Sequence, residues 1–264
     1  MASALGDFLR ARRRLATVDR AGPWHGERRT PGLRREEVAM LAGVSSDYYT
    51  RLEQGRELRP SAQVLQALAR ALELCPEATE YLYRLAHPQE CGRRPLGGDD
   101  EISPHMLRFL EGCDHVVAFV VNRRMDYLAR NRRAAALYRG MDIADNVLRL
   151  IFLCPAAREF YVDWEQEAHA FTAHVRAASD AGRDPLVREL VEELSAGSDD
   201  FRRIWARHDV RVRTKMPIRY RHRDVGEMTL QYETLRVGSA PGQFIVIGQA
   251  EPGSPSARAF ASLG

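Results

Sequence analysis

The chain has 264 residues, of which 45% are hydrophobic and 28% are charged, a composition typical of folded globular proteins rather than disordered ones. At roughly 150 residues per domain this length predicts two domains, and the longest apolar run, Val116–Val121, is far too short for the ~20 residues that cross a bilayer. The formal net charge is +3, but residues 1–94 hold 16 arginines against 12 acidic residues, so a polyanionic partner, if the protein has one, is expected to bind near the N-terminus.

The first 88 residues predict a domain of short helices. Leu5, Phe8, Leu9 and Leu15 have the spacing of one helix face, and a loop rich in glycine and proline follows over 21–32. Four more helices are predicted over Leu33–Ala42, Ser46–Gln54, Ala62–Leu72 and Glu77–Ala86. Segment 87–104 then breaks the apolar periodicity with three prolines and three glycines. We therefore predict a first domain over 1–88 and a linker over 89–102.

Residues 35–54 have the pattern of a helix-turn-helix. Two short helices that cross steeply need a small residue at their contact, and Ala39 supplies it. The tight turn between them needs a residue that accepts a positive φ angle, which Gly43 provides, and Ser45 is placed to cap the second helix. The positions expected to form the core between the helices are all apolar: Val38, Ala42, Val44, Tyr49 and Leu52. An ordinary helical hairpin within a bundle is the alternative interpretation.

The second helix of such a motif lies in the major groove of DNA, so its N-terminal residues and one outward face meet base edges. The residues predicted to read bases are Ser46, Asp47, Thr50 and Arg51. In this assignment Arg51 binds guanine O6 and N7, and Asp47 accepts a hydrogen bond from cytosine N4. The residues predicted to contact the DNA backbone are Arg28, Arg29, Arg34, Arg35 and Ser61. For each of these side chains a solvated surface position is the alternative.

The second half predicts an α+β domain over 103–250, followed by a tail over 251–264. A helix is predicted over Pro104–Glu111, and a helical region runs from Asn131 to about Arg207. The predicted strands are Val116–Val121, Met125–Ala129, Val210–Arg219, Glu227–Val237 and Gln243–Gln249. This order is typical of a PAS-like domain, in which helices cover one face of a five-stranded antiparallel sheet.

Two stretches of the chain carry family resemblances. Residues 33–74 resemble the XRE (lambda-repressor-like) DNA-binding domain through Glu37-Val38-Ala39, Gly43-Val44-Ser45, Leu52-Glu53-Gln54-Gly55 and Arg59-Pro60-Ser61. The string from Arg29 to Ala39 resembles the MmyB-like subgroup of bacterial regulators. Farther along, Leu128-Ala129-Arg130-Asn131, Asn146 to Phe152, Asp163-Trp164-Glu165, Asp184-Pro185-Leu186 and Ser198 to Val210 are similar to the MmyB/MltR-type ligand-binding domain.

The second resemblance implies a PAS-like fold with an apolar cavity and a fatty-acyl-like ligand. The bulky apolar residues expected to line this cavity are Phe119, Tyr127, Leu148, Phe152, Trp164, Phe171, Trp205, Leu230 and Tyr232. A small-molecule site is mostly apolar, but the same residues also fit an ordinary core. Asn131 is expected to cap the following helix rather than bind a ligand.

These observations predict a bacterial transcription regulator that binds double-stranded DNA in the cytoplasm and is associated with the nucleoid when bound. One reading helix covers only a few base pairs, so a homodimer is expected. The sequence shows no catalytic motif, metal site or resident cofactor motif, and neither enzymatic activity nor a membrane partner is expected. Two alternatives remain: a second domain that only dimerises or docks a partner without ligand, and an adaptor whose helix-turn-helix no longer binds DNA.

Overall fold

The computed structural model describes residues 3–16, 32–87, 100–179, 184–212 and 215–263. Almost all of the predicted loop over 21–32, and most of the predicted linker over 89–102, lie outside these residues. The helices of the N-terminal half are α1 (Ala4–Leu15), α2 (Arg35–Ala42), α3 (Ser46–Glu53), α4 (Ala62–Ala71) and α5 (Pro76–Ala86). Those of the C-terminal half are α6 (Pro104–Glu111), α7 (Arg132–Leu137), α8 (Val147–Leu153), α9 (Ala157–Phe160), α10 (Trp164–Ala178), α11 (Pro185–Gly197), α12 (Asp199–Trp205) and α13 (Pro255–Ala261). The strands are β1 (Val117–Val121), β2 (Tyr127–Arg130), β3 (Lys215–His222), β4 (Gly226–Arg236) and β5 (Phe244–Gln249).

The N-terminal helices begin at the capping residues that the sequence contains. The Ser45 hydroxyl accepts a hydrogen bond from the Tyr48 N–H at 3.1 Å, and the Ser61 hydroxyl accepts one from the Val64 N–H at 3.4 Å. Pro76 occupies the first turn of α5, where its missing N–H costs nothing. These side chains satisfy backbone groups that a helix leaves unpaired at its start, so the predicted helix starts are confirmed to within two residues.

Helices α1–α5 pack around one apolar core. Its most buried members include Phe8, Leu9, Val38, Tyr49, Leu52, Leu65, Leu68 and Leu82. Ala177 of α10 and Val210, both from the C-terminal half, also belong to this core. The predicted strand that starts at Val210 is therefore wrong at its N-terminal end, because Val210 packs against the helical bundle and β3 begins only at Lys215.

The five strands form one antiparallel sheet in the order β2-β1-β5-β4-β3. Tyr232 of β4 pairs with Gly248 of β5, and a Cβ atom at Gly248 would collide with the Tyr232 ring. The glycine therefore lets this aromatic ring lie flat over the neighbouring strand. The predicted fold class, a helical domain followed by an α+β domain with a five-stranded antiparallel sheet, is confirmed.

Alternation along β1 places apolar side chains on both faces of the sheet. Phe119 and Val121 belong to the large core formed with α7–α12. Ala118 and Val120 belong to a smaller cluster with Leu110 of α6. The prediction that helices cover only one face was therefore incomplete, because α6 packs on the opposite face. None of the helices in the described ranges is both long and apolar enough to pass through a lipid bilayer.

The segment predicted as a tail contains a helix that packs on the domain. Ser254 caps α13 and Pro255 starts it, so local signals for this helix were present in the sequence. Phe260 and Leu263 are buried in the main core, and Arg133 donates a hydrogen bond to the Phe260 carbonyl at 3.1 Å. The prediction of a tail over 251–264 missed this helix.

The helical bundle is docked on α10 and on the segment that follows α12. Arg84 of α5 donates a hydrogen bond to the Ala177 carbonyl at 2.7 Å, and Arg12 of α1 forms an ion pair with Asp209 at 2.6 Å. The Cys75 thiol donates to the Val210 carbonyl at 3.4 Å. Residues of α10 thus contact both the core of the C-terminal domain and the core of the bundle.

Candidate functional site

The turn between α2 and α3 has the geometry that its residues predict. Gly43 adopts a left-handed conformation with φ of 65°, and a Cβ at this position would meet nothing within 4 Å. Backbone conformation rather than space therefore favours glycine here. Ala39 is buried at the contact between the two helices, and Tyr49 and Leu52 of α3 face the same core. Residues 35–53 form a helix-turn-helix.

The side chains predicted to read bases lie on the open side of α3. Ser46, Asp47 and Arg51 are exposed and Thr50 is half-buried. Arg51 is 48% exposed and lies 3.6 Å from the Asp47 carboxylate, with its guanidinium carbon 5.8 Å from the centre of the Tyr48 ring. A single, long ion pair at the surface is weak, so the guanidinium is available for a stronger partner. Base contact by these four residues stays a prediction.

The residues predicted to contact the DNA backbone lie in different surroundings. Arg34 and Ser61 are exposed at the starts of α2 and α4. Arg35 is 44% exposed, and its Nε donates to Glu53 Oε2 at 2.7 Å. Arg28 and Arg29 lie outside the described residues.

Glu53 is the centre of a buried charge cluster in the bundle. Its side chain is fully buried, and Arg13 of α1 donates from Nε to its Oε1 at 2.6 Å while Arg35 of α2 contacts Oε2. Burial alone would raise the pKa of Glu53, but the hydrogen bonds from Arg13 and Arg35 outweigh it and lower that pKa below the usual value. The carboxylate therefore stays ionised and joins three helices. The sequence analysis missed this cluster, since Arg13 and Glu53 are 40 positions apart.

A small apolar cavity lies between the sheet and the helices of the C-terminal domain. Its volume is about 30 Å³. Phe119, Tyr127, Phe171 and Tyr232 line it, and these are four of the nine residues predicted for a ligand pocket. A water molecule needs on the order of 10–15 Å³, so the cavity as it stands has space for about two or three water-sized molecules. A larger ligand requires side chains to move.

The other five predicted pocket residues do not line this cavity: Leu148, Phe152, Trp164, Trp205 and Leu230. Three of them build a separate aromatic cluster around Phe201, which lies 5.1 Å from Phe152 and 5.5 Å from Trp205 between ring centres. Trp164 lies 5.9 Å from Phe152 and donates its indole N–H to the Ile151 carbonyl at 3.0 Å. Leu148 and Leu230 are fully buried in the main core. All five thus have packing partners away from the cavity.

The cavity also has walls that the sequence analysis did not select: Val121, Met125, Tyr138, Val147, His174, Met216, Ile218, Tyr220, Thr234, Phe244 and Val246. Several of them could have been predicted from periodicity. Thr234 follows Tyr232 on the same face of β4, and His174 follows Phe171 by three positions on α10. The His174 ring is buried, and its centre lies 6.3 Å from that of Phe244.

The phenol groups around the cavity are held in their neutral form. Burial raises the pKa values of Tyr127 and Tyr220 well above their usual value. The Tyr220 and Tyr232 hydroxyl groups lie 2.9 Å apart and hydrogen-bond to each other. The phenol groups of this site therefore carry no negative charge.

A wider cleft adjoins the cavity. Its volume is about 410 Å³, and it lies between α5 and one end of the sheet. His174, Thr234 and Phe244 line both the cavity and the cleft. The charged residues that line the cleft are Glu77, Glu80, Arg84, Arg123 and Arg236. The cavity therefore adjoins a charged space where the helical bundle meets the C-terminal domain.

Comparison with known protein families assigns both halves of the chain. Residues 102–263 match the family model described as the MmyB-like transcription regulator ligand binding domain, and residues 4–82 match a helix-turn-helix domain. No curated protein matches the chain. The first match extends through α13, in agreement with the packing of that helix on the domain.

Proposed function

The chain belongs to the family of MmyB-like transcription regulators, and from this premise we propose that an apolar small molecule in its C-terminal domain controls how it binds duplex DNA. The two matched families make it a DNA-binding transcription regulator with a ligand-binding domain, and such proteins are not enzymes. The ligand, the residues that read DNA and the oligomeric state are the parts that we propose.

The observation that carries the proposal is the position of α10. Phe171 and His174 on this helix line the apolar cavity. Ala177, one turn after His174, is buried in the core of the DNA-binding bundle, and its carbonyl accepts the hydrogen bond from Arg84. A shift of α10 that admits a ligand therefore changes the contacts of the bundle. Such coupling requires only that the ligand prefers one arrangement of this helix.

We propose that a fatty-acyl-like chain enters the cavity and enlarges it. Met125 and Met216 line the cavity, and unbranched methionine side chains repack easily. Phe171 is only half-buried, so its ring has room to turn outward. Phe119, Tyr127 and Tyr232 are the other predicted residues that a chain would contact.

On the DNA side, we propose that α3 lies in the major groove with Ser46, Asp47, Thr50 and Arg51 toward the bases. Their position at the N-terminal end and open face of α3 supports this assignment. A homodimer supplies the second half-site, since one such helix reads too few base pairs to be specific. Sedimentation of the full chain, alone and with a two-half-site duplex, tests the dimer, and a monomer in both states contradicts it.

The ligand proposal is tested with uncharged alkanols from hexanol to dodecanol and the full-length protein. Each buried methylene contributes about 0.8 kcal/mol before ordering costs, so the melting temperature is expected to rise with chain length until the cavity is full. Phe171→Trp is expected to reduce this rise because it fills the cavity. Phe152→Trp is the matched control, since Phe152 is also half-buried but lies outside the cavity.

The alternative is a C-terminal domain that dimerises or docks a partner without any ligand. The small volume of the cavity, about 30 Å³, favours it. No change of melting temperature with any alkanol, or an equal response of the Phe171 and Phe152 variants, supports this alternative and contradicts our proposal.

A further inference from the structure

The segment between α12 and β3 lies between the helical bundle and α10. Val210 of this segment is buried in the bundle core, and its carbonyl accepts the hydrogen bond from Cys75. The next residue, Arg211, donates its N–H to the Ala173 carbonyl of α10 at 3.3 Å. The segment is therefore held by the bundle on one side and by the C-terminal domain on the other.

Asp209, in the same segment, accepts contacts from cations of both halves of the chain. Its Oδ1 lies 2.6 Å from an Arg12 nitrogen of α1, and its Oδ2 lies 2.9 Å from the Arg207 Nε. The His169 ring of α10 lies 3.8 Å from Oδ2. The Arg12 and Asp209 side chains are only 21% and 29% exposed, so solvent and salt screen this pair less than a pair at the open surface. One carboxylate thus lies against the bundle, α10 and the segment before β3.

The contact around Asp209 is rich in buried cations. Arg84 of α5 and Arg176 of α10 are 9% and 4% exposed, and among the described residues no ion pair joins either of them to a carboxylate. Arg12, Arg84 and Arg176 each have a buried Nε without a hydrogen-bond partner in the described part of the chain. Burial lowers the pKa of Arg176, and the Asp209 carboxylate is among the groups that oppose this effect. Since buried cations with unsatisfied donors are costly, the negative charge of Asp209 is important for this contact.

The apolar part of the contact is small. Ala177 and Val210 are the buried residues that the C-terminal half adds to the bundle core, and the other buried members of that core come from residues 5–86. Two small side chains bury little apolar area, so hydrophobic burial alone holds the bundle only weakly on the C-terminal domain. We therefore expect the bundle to be released when the charge at Asp209 is removed.

The docked surface of the bundle differs from the surface assigned to DNA. The polar contacts with the C-terminal half come from α1, α5 and Cys75, whereas the exposed residues assigned to base reading lie on α3. The α3 helix can therefore enter a groove while the bundle stays docked. In a homodimer held by the C-terminal domains, docking then fixes the distance and the angle between the two α3 helices, and with them the spacing of the half-sites.

We propose that Asp209 determines which half-site spacing the regulator accepts, because it holds each bundle in one orientation on its C-terminal domain. The inference rests on the proposed function, since it assumes a homodimer that reads two half-sites. It adds that a residue of the C-terminal half is a positioning residue for DNA recognition. A released bundle is still tethered by the chain between α5 and α6, so the second contact remains intramolecular but accepts a range of spacings.

The test uses duplexes in which two identical half-sites are moved apart one base pair at a time through one helical turn, about 10 base pairs. The half-site is first selected from random duplexes with the full-length protein. Wild type is expected to bind one spacing at least about 30-fold more tightly than spacings half a turn away, where only one bundle can bind. Asp209→Asn is expected to reduce this ratio to about threefold, while its affinity for a single half-site stays within about twofold of wild type.

Three further variants separate positioning from a general loss of stability. Arg12→Gln removes the partner of Asp209 on the bundle side and is expected to reduce the ratio in the same way. Asp209→Glu keeps the charge and is expected to restore part of the wild-type preference. Asp200→Asn is the matched control, since the ion-pair partners of Asp200, Arg158 and Arg203, both belong to the C-terminal half. Melting curves show whether each variant is folded, and should Asp209→Asn not fold, Arg12→Gln decides.

A spacing preference that survives in both Asp209→Asn and Arg12→Gln overturns the role of Asp209. So does wild type that binds every two-half-site duplex equally and more tightly than a single half-site, a result that leaves the proposed homodimer intact. A loss of affinity for the single half-site in Asp209→Asn also overturns it, because the residue would then act on reading itself. Wild type that binds two half-sites no more tightly than one overturns both the inference and the homodimer.

Discussion

Arg35 and Glu53 are joined by an Nε–Oε2 contact of 2.7 Å, which links the first helix of the helix-turn-helix to the last residue of the second. Arg13 holds the other carboxylate oxygen at 2.6 Å, so α1 is tied to the same point. The carboxylate is fully buried, whereas both arginines keep part of their side chains in solvent. One ionised group therefore helps to hold α3 against α1 and α2, in addition to their shared apolar core.

Glu53→Gln is expected to destabilise the DNA-binding bundle by about 3 kcal/mol, because removing one partner leaves a partly buried arginine charge uncompensated. Urea unfolding followed by circular dichroism measures the change. Glu36→Gln is the matched control, since Glu36 is exposed on α2. Equal stability of the two variants would show that the cluster does not hold the helices.

The sequence analysis predicted that Arg34 and Arg35 both contact the DNA backbone, but Arg35 is also hydrogen-bonded to Glu53. Arg34→Ala is expected to weaken binding to all DNA sequences and reduce the salt slope by about one, as loss of a phosphate contact does, without lowering stability. Arg35→Ala is expected to lower stability as well, because it removes a partner of Glu53. Melting curves and binding titrations at several salt concentrations distinguish them. A stable Arg35→Ala variant with the phenotype of Arg34→Ala would show that Arg35 contacts phosphate in the complex.

Arg51→Ala is expected to cost about 1–3 kcal/mol of specific binding and to relax the preference at one base pair, the usual size of a bidentate base contact. Competition binding with a set of single-base operator variants measures both effects. Arg70→Ala serves as control, since Arg70 is exposed in the last turn of α4. An equal loss of affinity for every sequence would contradict the assignment of the groove-facing surface.

The sequence predicted those parts of the molecule that depend on neighbouring residues. Gly43 and Ser45 fix the turn and the start of α3 through backbone conformation and a local hydrogen bond, so their roles were readable. The hydrogen-bond partners of Glu53 and the packing of Val210 in the bundle core could not be predicted, because both depend on contacts between distant segments.

The lining of the cavity was likewise predictable along a single strand but not between segments that are distant in the sequence. Alternation predicts that Tyr232 and Thr234 share one face of β4, but it does not show which residues on the helices lie opposite them. Phe152 and Phe171 are both half-buried aromatic residues on helices, and only the packing of α8 and α10 places one at Phe201 and the other at the cavity.

A pH dependence is expected from His208, at the contact between the two halves. Burial, and next the positive charges of Arg176 and Arg12, lower its pKa to about 3. Its Nδ1 lies 3.3 Å from an Arg176 nitrogen, so the neutral ring accepts a hydrogen bond there. Between pH 6 and pH 4 the unfolded chain binds a proton at this residue and the folded chain does not. Stability should therefore fall with falling pH, by up to about 1.4 kcal/mol per pH unit from this group.

His208→Asn isolates that contribution. His208 has a φ of 52°, and asparagine accepts this left-handed conformation better than most residues do. Urea unfolding of both proteins at pH 7, 6, 5 and 4 gives the difference in stability at each pH. The difference is expected to change in favour of the variant as the pH falls, and parallel curves would show that His208 is protonated equally in both states.

The isolated fragment 1–88 is expected to bind a two-half-site operator much more weakly than the full chain, because a dimer makes the second half-site contact intramolecular. The structure adds that the fragment lacks Ala177 and Val210, which complete its core, and the partner of the Arg12–Asp209 ion pair. It should therefore also unfold at a lower urea concentration than the same bundle in the full chain.

Truncating Val210 to alanine in the full chain separates the loss of dimerisation from the loss of bundle stability. This removes about two methylene equivalents, or about 1.6 kcal/mol, from the bundle core and leaves the linkage between reading helices unchanged. If operator binding by Val210→Ala stays near that of the full chain while the fragment binds weakly, dimerisation accounts for the difference. Equal operator affinity of fragment and full chain would show that the C-terminal domain is not the dimeriser.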